Sequence, residues 1–197
     1  KNVLNPKGKG VKVKVDAAAL KDSAKKSIGC HNETAVFEIS QLVNIIELIE
    51  EQLSDYKKKI EELANTLNSP IFTVPGIGYI TGLSILSEIN DIKQFNSHKQ
   101  LIAYAGVDPS VYDSGEFNSS RGSISKRGSP YLRKSLYQTV LPLCQNNSTF
   151  NTYYKRKRSE VKSHRCASGH VVRKLLRVLF KLLNDPDNKG FDASLLK

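Results

Sequence analysis

The run Val74-Pro75-Gly76-Ile77-Gly78-Tyr79-Ile80-Thr81-Gly82-Leu83-Ser84-Ile85-Leu86-Ser87-Glu88-Ile89 changes character partway along. A Pro-Gly-Ile-Gly turn opens into a helical pattern, with apolar residues at Ile80, Leu83, Ile85, Leu86 and Ile89. Turn plus helix reads as a helix-hairpin-helix-like element. Gly76 and Gly78 would let backbone N–H groups approach a phosphate closely, and the new helix's N-terminus adds favourable dipole charge. Contacts of this kind position a duplex without reading its bases.

Upstream lies the most regular periodicity of the chain: Ile39, Leu42, Ile46, Ile49, Leu53, Tyr56, Ile60, Leu63 and Leu67. Spacings of three and four alternate without a break, the a/d pattern of a coiled coil. Val43, Ile45 and Leu48 widen the apolar face. The seam calls for a partner helix, antiparallel within the chain or from a second copy; the alternative is an amphipathic helix lying on its own domain. Asn68, Ser69 and Pro70 end the helix, because proline cannot continue it. Residues 1–28 are Lys-rich and poor in large apolar side chains, and read as a linker with a short strand at 11–15 and a helix from Asp16.

Downstream, a helix is expected over 99–105, followed by an irregular loop over 107–128. Ser129 as N-cap with Pro130 at N1 starts a helix that runs to about Leu143. Further helices are expected near 148–161 and 167–184. The fold class is mainly α: a long heptad helix over 33–70, then a helical domain over 71–190 and a tail over 191–197.

Charge narrows the partners. Over residues 121–181 fifteen Lys and Arg stand against one acid, Glu160, a balance of +14, whereas residues 33–70 balance at −5. Clustered cations attract phosphates and release counterions when they bind, so the pattern fits nucleic acid; a solvated basic face is the alternative. No apolar run is long enough for a helical membrane span and no secretory signal is visible. The cysteines, Cys30, Cys144 and Cys166, are odd in number and widely spaced, as expected of reduced thiols in a cytoplasmic protein. The chain contains no Met and opens on Lys1, which reads as an upstream truncation.

Four strings, VPGIGYITGLSILSEI, QLIAYAGVDPSVYDSGEF, RGSISKRGSPYLRKSLY and VVRKLLRVLFKLL, occur in this order and make up a little over half of residues 72–183. The block resembles the C-terminal domain of the IS one-ten class of insertion-sequence transposases and the Piv-type invertases. The resemblance implies an upstream RuvC-like domain with four metal-binding acids, a helical hairpin, and a C-terminal domain that supplies a nucleophilic serine. Residues 1–32 then read as the remnant of a truncated RuvC-like domain. The Ser-Gly pair of the central loop places the nucleophile at Ser114, and Asp16 matches the last acid of the metal set, while Val13 stands where another acid belongs.

The implied function is cleavage and exchange of DNA strands by a transposase or site-specific recombinase. Mg²⁺ is expected in the full-length enzyme, and this chain alone is expected to be inactive. DNA, a structured guide RNA and further copies of the chain through the coiled coil are the implied partners. The competing class is a catalytically inactive nucleic-acid-binding remnant or regulator. A bare serine hydroxyl is a weak nucleophile, and Arg121, Lys126 and Arg127 follow closely enough to stabilise charge on a phosphorane. Tyr112 and Asp113 are the adjacent alternatives to Ser114. Lys126, Arg127 and Arg133 are candidates for phosphate contacts or for surface ion pairs. Tyr153 and Tyr154 fit either base stacking or a helical core face. His164, Cys166 and His170 do not have the spacing of a structural zinc site.

Overall fold

A computed structural model gives the architecture, described here for residues 16–29, 32–109, 113–114, 117–118, 124–160, 162–187, 189–192 and 195. The chain divides into two compact units, residues 1–50 and 51–197. The boundary falls inside a helix.

The first unit holds α1 (Ala17–Lys25) and the start of α2 (Glu33–Leu67). Asp16 caps α1, its carboxylate accepting from the Ala18 N–H at 3.2 Å. Asn32 caps α2 by accepting from the N–H groups of Thr34 and Ala35 at 3.0 and 3.3 Å. Asn68 ends α2 in the left-handed region at φ 42°. Pro70 then opens a 3-10 turn, Pro70–Thr73. The heptad residues other than Ile60, which is half-buried, are open to solvent, from 48% exposed at Ile49 to 67% at Tyr56.

The second unit is a helical cluster of α3 (Tyr79–Ile89), α4 (His98–Tyr104), α5 (Pro130–Asn146), α6 (Ser148–Ser159) and α7 (His164–Leu183). α3 packs on α5, and α7 packs on α4, α5 and α6. Ile71, Ile85, Leu101, Leu132, Leu136, Leu143, Phe150, Leu175 and Leu179 are fully buried between them. Each such side chain contributes about 1.5–3 kcal/mol by leaving water. No helix among the described residues is long and apolar enough to cross a membrane.

The glycine turn before α3 is held by packing. Gly76 has φ +97°, and a Cβ there would lie 2.6 Å from the backbone of Pro142 and Leu143 in α5. A side chain is excluded on both grounds. Gly78, the N-cap of α3, has open space beside it.

Two segments differ from the sequence expectation. α7 begins at His164 rather than 167, because the Ser163 hydroxyl accepts from the Cys166 N–H at 3.3 Å and supplies the cap. Within the expected irregular loop, β1 (Asp113–Ser114) pairs antiparallel with β2 (Phe117–Asn118), and Pro109 bridges to Ile124. Such short strands depend on cross-strand partners rather than on their own composition. The strand expected at 11–15, together with Val13, Cys30 and His31, lies outside the described residues.

Candidate nucleic-acid interface

The ribbon that carries Ser114 is fastened at its base. α4 ends in a tight reversal at Gly106, φ +63°. The chain then runs out through Asp108 and Pro109 and returns through Ile124 and Ser125. Ser125 N–H donates to Asp108 C=O at 2.9 Å, Lys126 N–H to Gly106 C=O at 3.0 Å, and Ser129 N–H to Tyr104 C=O at 2.8 Å. The Ser125 hydroxyl also donates to the Asp108 carboxylate. Gly128 lies so close to α4 that a Cβ would sit 1.8 Å from the Tyr104 carbonyl oxygen. Further along the ribbon, Ser114 is in register with Phe117 and Asp113 with Asn118.

Arg133 closes this base from α5. Its Nη1 donates to Ala105 C=O at 3.1 Å and, more weakly, to Gly128 C=O at 3.5 Å. Part of this guanidinium is therefore committed to holding the two legs of the ribbon.

Beside the base opens a cleft of about 300 Å³, lined by Pro109, Ile124, Lys126, Tyr137, Arg165 and Arg173 among others. An adjoining cleft of about 330 Å³ adds Arg133 and Lys134. No carboxylate is among the described residues lining either one. Lys126, held at φ 56°, is exposed, as are Lys134 and Arg165. Tyr137 forms the floor, its hydroxyl 3.0 Å from where a Cβ on Gly169 would stand. Burial raises the Tyr137 pKa above 10.0, while Arg165, Arg173 and Arg133 pull the other way. The phenol thus stays neutral at neutral pH and can donate to an anion. Five cations (Lys126, Arg133, Lys134, Arg165 and Arg173), a neutral donor and the N-terminus of α7 suit a phosphodiester.

Some of the expected contact residues come together here and others do not. Lys126 and Arg133 line the clefts; Arg127 is exposed beside them. Arg121 and Tyr112 lie outside the described residues. Gly76 and Gly78 sit elsewhere: Gly76 meets the C-terminal part of α5, whereas the clefts flank its N-terminal part. At 1.5 Å per residue, Arg133 and Leu143 are about 15 Å apart along that helix. Tyr137, Lys134, Arg165 and Arg173 were missed by the sequence reading. Their cationic density was visible, but nothing local to either segment showed that α5 and α7 would bring them together.

Asp16 serves as a helix cap, and among the described residues no group of three or more His, Cys, Asp and Glu is placed to hold a metal. A hard cation such as Mg²⁺ needs several oxygen ligands, so the described residues do not fit it. His164 Nδ1 is bonded to the Tyr154 hydroxyl at 2.6 Å, and His170 Nδ1 to Arg173 Nη2 at 3.2 Å.

Residues 68–155 match the model of a family described as Transposase IS116/IS110/IS902 family. The chain belongs to this family of transposases. It is 36% identical to the transposase for insertion sequence element IS1111A of Coxiella burnetii, over 44% of this chain and 24% of that protein. It is 30% identical to the insertion element IS900 uncharacterized 42 kDa protein of Mycobacterium paratuberculosis, over 87% of this chain and 44% of that protein. A pilin gene-inverting protein of Moraxella bovis is 30% identical over 64% of this chain and 39% of its own length. The chain thus spans less than half the length of these curated relatives. The matched block contains the ribbon and Tyr137 but ends before Arg165 and Arg173.

Proposed function

We propose that this chain is the DNA-engaging part of a transposase or site-specific recombinase, with Ser114 as the nucleophile of strand cleavage. The observation that carries the reading is the fastened ribbon: it bears Ser114, and its base opens on the Lys126–Arg165–Arg173 cleft. The cleft holds the phosphate backbone. The Ser114 Oγ attacks phosphorus and loses its proton, the P–O bond to one strand end breaks, and that end leaves as an alcohol. The phosphoserine ester retains the bond energy, so attack by another strand's hydroxyl rejoins DNA and frees the serine. Cations at the ribbon neutralise charge that develops on the phosphorane. Mg²⁺, implied by the resemblance for the complete enzyme, has no ligand set among the described residues. A structured guide RNA would engage the same phosphate chemistry.

The open heptad face of α2 supports self-association, with a second copy as the partner.

The test of the nucleophile is adduct trapping in the complete protein. Denaturation-resistant protein–DNA adducts should form and map to Ser114, and Ser114→Ala should abolish them while duplex affinity stays within about twofold, since one hydroxyl adds little to a charge-driven interface. Undiminished adducts from Ser114→Ala, or a link at Tyr112, overturn the assignment. Retained DNA binding with no adduct from the unmodified protein instead favours a non-catalytic binding module.

A further inference from the structure

α6 and α7 build a second cationic groove away from the ribbon. Its centre is Tyr153, whose ring lies under Lys174 Nζ at 4.8 Å, the Arg156 guanidinium at 5.2 Å and Lys157 Nζ at 5.8 Å. Arg177 and Lys181 follow Lys174 along α7 and line the groove with it, and His98 of α4 closes the other side. The volume is about 330 Å³, and no carboxylate is among the described residues that line it. Glu160, the one acid of residues 121–181, is bonded to Lys157 and Lys162 instead.

The charges here oppose one another. The Lys174 ammonium is pushed below its usual pKa first by burial, then by Arg156 and Arg177. A cluster of this kind weakens the fold unless an anion relieves it. We propose that this groove is a second phosphodiester-binding track, which takes a nucleic-acid backbone segment other than the one at the ribbon base. It rests on the reading that the domain binds nucleic acid.

Three features define the ligand. Tyr153 is covered by cations, so the groove holds backbone rather than a stacked base. Lys174 to Lys181 spans about 10 Å of helix axis, which corresponds to about three phosphates of one strand. That extent suits a polymer better than a single phosphate. Finally, the two tracks face apart: Lys174 is one residue beyond Arg173, and successive residues are rotated by about 100° around a helix.

The experiment measures affinity for random-sequence duplex DNA and for duplex RNA of the same length as salt is raised. It uses the unmodified chain, the triple variant Lys174→Gln, Arg177→Gln, Lys181→Gln, and the ribbon-base variant Arg165→Gln, Arg173→Gln. The triple variant should lower the slope of log K against log salt by about 2–3 on at least one polymer. A loss on one polymer alone assigns the track to that polymer. In the unmodified chain, bound nucleic acid should protect the Lys174 and Lys181 amines from acylation, a readout that does not depend on any variant folding. An unchanged slope on both polymers with unprotected amines, while the ribbon-base variant loses affinity, overturns the second track and leaves the proposed function standing. Failure of the unmodified chain to bind either polymer overturns both.

Discussion

The Ser129 hydroxyl donates to the Glu88 carboxylate at 2.6 Å while accepting from the Leu132 N–H at 3.1 Å. One side chain therefore caps α5 and ties it to α3, across forty-one residues of sequence. Ser129→Ala should cost more than a simple cap, about 2–3 kcal/mol, because a bond to a carboxylate is lost as well. Glu88→Gln should cost about 1 kcal/mol, and a double-mutant cycle read by urea unfolding should give a clear coupling energy. Additive effects would show that the two groups do not interact in solution.

Glycine substitutions separate packing from ligand approach. Gly76→Ala and Gly128→Ala drive a Cβ into backbone at 2.6 and 1.8 Å, and should each destabilise by about 1–3 kcal/mol or more. Gly78→Ala meets nothing within 4 Å and should change the unfolding midpoint little. Equal losses at Gly76 and Gly78 would contradict the packing role of Gly76.

Arginines around the ribbon should sort into two kinds. Arg165→Gln with Arg173→Gln should reduce the salt slope of duplex binding by about 1–2, with little change in stability. Arg133→Gln should act mainly on stability, by about 1–2 kcal/mol, because its guanidinium holds Ala105 and Gly128. Thermal melts beside salt titrations distinguish the two. A large slope change with an unaltered melt would move Arg133 to the interface.

Acid sensitivity should come partly from His170. Burial first, then Arg173, Lys162 and Lys157, hold its pKa at about 4, against an opposing pull from Glu160. The folded state thus keeps His170 neutral where the unfolded chain, at 6.5, already takes up a proton. Stability from this group is complete above 6.5 and falls as pH drops towards 4, by about 1 kcal/mol once solvent screening is allowed for. Glu160, held at about 2 by its bonds to Lys157 and Lys162, loses its contribution only at lower pH, from 4.5 downward. His170→Gln should flatten the stability profile between pH 6.5 and 4. An unchanged profile would assign the acid loss to other groups.

The α2 seam makes a separate prediction. Replacing Ile46 and Leu53 with Asp should convert an associating chain to monomer in sedimentation, since an unpaired charge in an apolar seam is strongly disfavoured. A monomeric unmodified chain at high concentration would remove the second copy from the reading.

Helix positions follow from local signals in the chain: Ser129 and Pro130 set the start of α5, Pro70 closes off α2, and the apolar spacing of residues 80–89 marks α3. The family was legible too, through ordered strings that need no knowledge of packing. What the cations face depends instead on packing between segments far apart in the chain. Lys126, Tyr137, Arg165 and Arg173 meet because α5 and α7 bury Leu136, Val172 and Leu176 in one core, leaving their polar positions on shared grooves. At Gly76 the direction a side chain would take is filled by the backbone of α5, a close packing that no local signal shows. Helix signals act over a turn or two of chain, whereas a cleft is made by the burial of side chains far apart in sequence.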